Sequence, residues 1–183
     1  VGGSWFQIGN DIDGEAAGDR SGWAVSLSSD GNTVAISARY SGANSSAIGH
    51  VRIYNYNGTT WNQIGQDIDG EVAGDQSGQS VSLSSDGNTV AIGAHINNGN
   101  GSNSGHVRVF QYNGSSWIQI GNDIDGEAAW DQSGHSVSLS SDGNTVAIGA
   151  RYNNDNGASS GHVRIYNYNG TSWNQIGQDI DGE

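Results

Sequence analysis

The sequence predicts an all-β chain of tandem four-stranded antiparallel blades of a β-propeller, three blades plus a supernumerary outer strand. Three observations predict it. A 56-residue unit recurs without insertion or deletion. Within each unit apolar residues alternate with a period of two, the signature of half-buried strands. Asp-Gly and Asn-Gly pairs separate the alternating runs, and both pairs favour the positive φ of tight hairpins.

The repeat is explicit. Trp stands at 5, 61, 117 and 173, and Asp-Gly-Glu at 13–15, 69–71, 125–127 and 181–183. DGNT recurs at 30–33, 86–89 and 142–145, and Gly-His-Val-Arg at 49–52, 105–108 and 161–164. Counted from Trp, the repeats run 5–60, 61–116 and 117–172, with a partial fourth at 173–183, all within one repeat domain over 1–183. Outer-strand motifs occur at both ends, and the chain starts at Val1 rather than Met. The expectation is a segment of a longer array, or chains that share strands with one another.

Each element follows from its pattern. SVSLSS (80–85) puts Val81 and Leu83 on one face, TVAIGA (89–94) puts Val90 and Ile92 together, and HVRVFQY (106–112) does the same with Val107 and Val109. WIQIGNDI (117–124) is the fourth strand, carrying Trp117, Ile118, Ile120 and Ile124. Asp86-Gly87-Asn88 joins the first two strands and Asn113-Gly114 the last two. Small residues opposite the aliphatic face, Ser82, Ala91 and Gly93, allow a neighbouring blade to approach. A β-sandwich or a solenoid is the competing architecture, but a solenoid needs no pair of tight hairpins per repeat.

Composition narrows the partners. The 183 residues carry 19 acids and 6 basic residues, all Arg, for a formal net charge of −13. Nucleic acid and anionic membrane surfaces would be repelled. No apolar run approaches the roughly 20 residues that span a bilayer, so no membrane insertion is expected. There is no Cys, which leaves the redox compartment open. Only 33% of residues are apolar and 30 are Gly, but six Trp, seven Tyr and the alternation argue against disorder.

SGHSVSLSSDGNTVAIGA (133–150) followed by SGHVRIYNYNG (160–170) resembles the FG-GAP repeat, the blade unit of integrin α-subunit propellers and of many bacterial surface proteins. The resemblance recurs through all three units. The family's Phe-Gly is Ser-Gly here, at 21–22, 77–78 and 133–134. It implies an extracellular or cell-surface protein, with a structural or adhesive role and possible assembly with itself.

All acids but Asp155 lie in two repeated features, the DGNT turn and the stretch DxDGExxxD. In the latter, Asp11, Asp13, Glu15 and Asp19 recur as Asp67, Asp69, Glu71 and Asp75, and as Asp123, Asp125, Glu127 and Asp131. Their spacing resembles the oxygen-ligand order of calcium loops and the DxDxDGxxD loop of integrin propellers. The family's loop lies between the first and second strands, where this chain has the short DGNT turn. Any Ca2+ site in the acidic stretch would therefore be separate. The alternative is a turn whose last acid (Asp19, Asp75, Asp131) pairs with Arg52, Arg108 or Arg164, which would be costly to bury alone.

His50, His106 and His162 recur once per blade and read as packed inter-blade residues. Lying in separate blades, they give no convergent zinc site. Trp5, Trp61, Trp117 and Trp173 read as packing wedges. Asn57-Gly-Thr59, Asn113-Gly-Ser115 and Asn169-Gly-Thr171 fit the glycosylation sequon, but the hairpin already requires Asn-Gly.

The units differ at 39–48, 95–104 and 151–160, between the second and third strands. Trp23, Arg39, Tyr40, His95, Trp130, His135, Arg151 and Tyr152 are candidates for a ligand rim shared with the acidic stretch. A multivalent carbohydrate-binding propeller is the alternative to an adhesive module. No nucleophile–base pair or phosphate loop is visible, and every carboxylate cluster is triplicated. The expectation is that the chain is not an enzyme, and that its partners are itself, neighbouring blades, or a protein or glycan on a surface.

Overall fold

A computed structural model describes residues 3–42 and 46–183. Residues 43–45, within the first variable loop, lie outside the described residues. The described residues contain strands and turns, and no helix long and apolar enough to cross a membrane.

The described residues form fifteen strands in three antiparallel sheets. The first holds β1 (Val25–Leu27), β2 (Thr33–Ala38), β3 (His50–Tyr56), β4 (Trp61–Gln63) and β5 (Ile68–Asp69). The second holds β6 (Ser80–Leu83), β7 (Thr89–Ala94), β8 (His106–Tyr112), β9 (Trp117–Gln119) and β10 (Ile124–Asp125). The third holds β11 (Ser133–Leu139), β12 (Thr145–Ala150), β13 (His162–Tyr168), β14 (Trp173–Gln175) and β15 (Ile180–Asp181). Each is a four-stranded meander whose register repeats: Ile92 lies opposite Arg108, as Ile36 lies opposite Arg52 and Ile148 opposite Arg164.

The outer strand differs from its sequence reading. It is two short strands on the same neighbour, with Phe110 opposite Gln119 and Val107 opposite Ile124. Gly121, at φ 70°, breaks it, and Gly9, Gly65 and Gly177 repeat that conformation. The Trp-initiated motif at 173–181 completes the third sheet. Its counterpart near the N-terminus contributes no strand to the three sheets, and Trp5 is fully exposed.

The core lies between sheets, because no single sheet can cover both its faces. Ala35, Val51, Ile53 and Ile68 of the first sheet pack on Leu83, Val90, Ile92, Phe110 and Trp117 of the second. The second sheet's other face, Ala91, Val107, Val109 and Ile124, packs on Leu139, Val146, Ile148 and Tyr166. The small residues act as expected: a Cβ on Gly93 would collide with the Gly134 carbonyl, and one on Gly105 with the Ser133 carbonyl. Ser26 and Ser82 accept from the amides of Leu83 and Leu139, each at 2.9 Å.

The Trp residues wedge neighbouring outer strands together. Trp117 donates to Ile64 O at 2.9 Å, lies against Gly65 and stacks beside Tyr112. Trp61 and Trp173 repeat this against Ile8 and Ile120.

Candidate functional site

The acidic stretch links one blade to the next, and its acids diverge. Glu15, Glu71 and Glu127 pair with Arg52, Arg108 and Arg164 at 3.7, 3.6 and 3.2 Å. The same guanidiniums donate to the carbonyls of Asp13, Asp69 and Asp125 at 2.8, 2.6 and 2.8 Å. Each Arg thus clamps the incoming linker through one carboxylate and one backbone carbonyl.

The pairing partner is a correction. Asp19, Asp75 and Asp131 do not face these Arg residues. They are buried and fold back on their own turns, accepting from the amides of Ala16, Val72 and Ala128 at 3.0, 3.2 and 3.2 Å. Asn97 and Asn153, from the variable loops, satisfy Asp75 and Asp131 further at 2.9 and 3.2 Å. A short Asp cannot both hold its turn three residues back and reach the strand, whereas the longer Glu reaches it.

The first acid of each stretch is held elsewhere again. Asp11, Asp67 and Asp123 accept from Gln7, Gln63 and Gln119 at 2.8, 2.6 and 2.7 Å. The four acids of one stretch therefore do not wrap a common ion as a calcium loop would.

Carboxylates from successive linkers converge instead on the periodic histidines, one histidine to a group, where the sequence reading expected no convergence because the histidines lie in separate blades. Among the described residues three groups could hold a metal ion: Glu15, His50 and Asp67; Glu71, His106 and Asp123; and Glu127, Asp155, His162 and Asp179. Donor atoms within each group lie within 4.8 Å of one another. Sequence reasoning missed this because the donors come from separate elements, although their 56-residue recurrence signalled equivalence. Burial holds the His106 pKa below its usual value, against the pull of Asp123. Burial raises Glu127, and Asp179 adds to this while Arg164 opposes it.

A second cluster occupies the rim where the first and second strands of successive blades meet. The Arg39 guanidinium lies 3.6 Å from the Trp23 ring centroid and 4.7 Å from that of Tyr40. Arg39 also donates to Gln79, whose amide faces His135. His135 meets His95 edge to face at 5.7 Å. Burial, reinforced by His135, Arg39 and Arg151, pushes His95 down to about 4. Arg151 lies over Tyr152 and bonds Gln132, while Trp130 stands exposed nearby in sequence on the preceding linker. Arg39, His95 and Arg151 share one repeat position, as do Trp23, Gln79 and His135.

A family model of the FG-GAP repeat matches residues 68–110 and 124–166. Each match spans the end of an outer strand, the acidic linker and the first three strands of the next sheet. No curated protein matches the chain. Among solved structures, a putative 6-phosphogluconolactonase from Bacteroides fragilis aligns with TM-score 0.59 at 15% identity, covering 87% of this chain and 38% of that one. Its counterpart from Bacteroides uniformis gives TM-score 0.59 at 16% identity, with 87% and 40% covered. Kuenenia stuttgartiensis hydrazine synthase gives TM-score 0.51 at 13% identity, with 86% and 36% covered. This chain thus spans about two fifths of those chains, and at such identity the likeness shows the fold alone.

The comparisons correct the expectation that the chain is not an enzyme. That inference treated threefold repetition as evidence against catalysis. Proteins named as putative lactonases carry the same architecture, so blade repetition carries no such weight. Residues 68–110 and 124–166 are FG-GAP repeats, set in a chain of repeated four-stranded, propeller-like blades.

Proposed function

We propose that the chain is an extracellular or cell-surface structural and adhesive module whose blades stack on those of further copies. The supporting observation is the match between its two uncovered sheet faces. At the second boundary, Ala91, Val107, Val109 and Ile124 meet Leu139, Val146, Ile148 and Tyr166. The third sheet offers the first kind of face again, as Ala147, Val163, Ile165 and Ile180, with Val163 and Ile180 exposed. The first sheet offers the second kind, as Leu27, Val34, Ile36 and Tyr54, with Leu27 exposed.

A groove of about 400 Å³ beside Gly149, Gly161 and Gly182 occupies the repeat equivalent of the place where Gly93 and Gly105 of the second sheet seat Gly134 and Ser133. Ser21 and Gly22 of another copy carry that pair. Two copies joined at both ends would contain six blades, within the roughly four to eight of closed propellers. Light scattering on the purified chain tests this. A two-copy particle is expected, and Ile180→Asp should return it to single copies with its circular dichroism intact. Single copies at millimolar concentration would refute the reading.

Divalent cations, calcium among them, would relieve carboxylate crowding along the linkers, and a folded-state ion raises the unfolding temperature. A second reading, multivalent glycan binding, is favoured by exposed Trp130 and Tyr152 on the third blade and by the Arg39–Trp23 stack on the first. A glycan array probes it directly.

A further inference from the structure

Asp155 is the one acid outside the repeated features, and it lies in the variable loop of the third blade. The fold brings it to Glu127 of the preceding linker, His162 at the start of β13, and Asp179 of the outer strand, with all donor atoms within 4.8 Å of one another. We propose that these four residues bind one divalent transition-metal ion of the zinc class.

The geometry carries the proposal. His162 Nδ1 has no hydrogen-bond partner, although the residue is only 5% exposed. It faces Asp179 Oδ2 at 3.6 Å and Glu127 Oε2 at 3.8 Å. Those separations are too long for hydrogen bonds. They approach the ~3.4 Å between donors arranged tetrahedrally about an ion at ~2.1 Å.

The remaining oxygens are already held. Arg164 takes Glu127 Oε1 at 3.2 Å, Gln175 takes Asp179 Oδ1 at 2.5 Å, and Asn153 takes Asp155 Oδ2 at 3.2 Å. Outer contacts of this kind orient metal ligands. They leave one oxygen each of Glu127 and Asp179 directed at the imidazole.

The donor set selects the class of ion. Calcium takes six to eight oxygens, whereas an imidazole with three carboxylates suits a borderline dication. The fourth donor distinguishes this blade. Its repeat position in the second blade is Gly99, so Glu71, His106 and Asp123 form a set of three. Because Glu127 belongs to the linker, the ion would tie the second blade's exit to the third blade, whether or not chains associate.

The test is calorimetric titration of the chelator-treated chain with ZnCl2, alongside titration with Co2+ followed by visible absorption. One tight ion per chain is expected, with a Co2+ ligand-field band and a higher unfolding temperature in Zn2+. Asp155→Asn preserves size at an exposed position and should weaken the tight site at least about tenfold. His162→Gln should remove the band, with circular dichroism confirming the fold. Absence of a Zn2+ response at millimolar concentration would overturn the proposal. So would three equal ions per chain insensitive to Asp155→Asn, or calcium matching zinc in its effect on unfolding.

Discussion

Gly93→Ala should loosen the boundary between the second and third sheets, and Gly149→Ala, its repeat equivalent, should not. A methyl on Gly93 would meet the Gly134 carbonyl oxygen and Ser80 Oγ. The carbonyl belongs to backbone that also contributes to the boundary through the bond from Ser80 at 2.9 Å, so it cannot rotate away. Restoring contact at ~3.5 Å requires the third sheet to retreat by about 1.4 Å, and a gap of even ~1 Å forfeits up to about half of each dispersion well it opens.

Overpacking of this kind costs about 2 kcal/mol, or roughly 4–8 °C in a chain of this length. At Gly149 the nearest atom is Ser136 Oγ, which can turn aside. The loss of unfolded-state freedom should then raise the transition by about 1–3 °C. Thermal unfolding followed by near-ultraviolet circular dichroism, at a concentration where the chain is single, measures both. Equal losses at the two sites, or no loss at Gly93, would refute the reasoning. If copies stack as proposed, Gly149→Ala should nevertheless weaken their association, because the incoming Ser-Gly segment would seat against it.

Trp117→Ala should cost about 4 kcal/mol, since the ring is 2% exposed and its loss leaves both a cavity and a stranded Ile64 carbonyl. Trp5→Ala, at a fully exposed copy of the same position, should leave the unfolding temperature unchanged, and a denaturant titration of both variants checks the contrast. Acid should weaken the fold through His95, whose folded pKa of about 4 lies below its ordinary 6.5. The unfolded chain takes up a proton that the folded chain refuses, so this contribution is complete above pH 6.5 and is lost as pH falls toward 4. Stability curves of wild type and His95→Gln should converge over that window.

The strands and hairpins were legible because period-two alternation and Asp-Gly or Asn-Gly turns are local properties. The break in the outer strand was not. Ile118, Ile120 and Ile124 keep an even spacing across Gly121, so the alternation runs on unbroken through a backbone that does not. The inter-blade role of Arg108 could be read from its period, but its partner could not. Glu71 and Asp75 stand equally ready in sequence, and only side-chain length against the turn decides between them. The convergence of Glu127, His162 and Asp179 joins three elements far apart along the chain, and Asp155 enters it from the variable loop at 151–160, where the other units carry no acid.

The turns between first and second strands touch one another across blades, with Ser29 N bonded to Ser85 O at 3.0 Å and Ser85 N to Ser141 O at 2.9 Å. The middle turn uses its amide on one neighbour and its carbonyl on the other, each one full unit away. Recombination between such near-identical gene segments could therefore add or delete a whole unit while leaving every remaining junction chemically intact. Selection on this architecture can act on the number of units and on their variable loops separately from the contacts that hold them together.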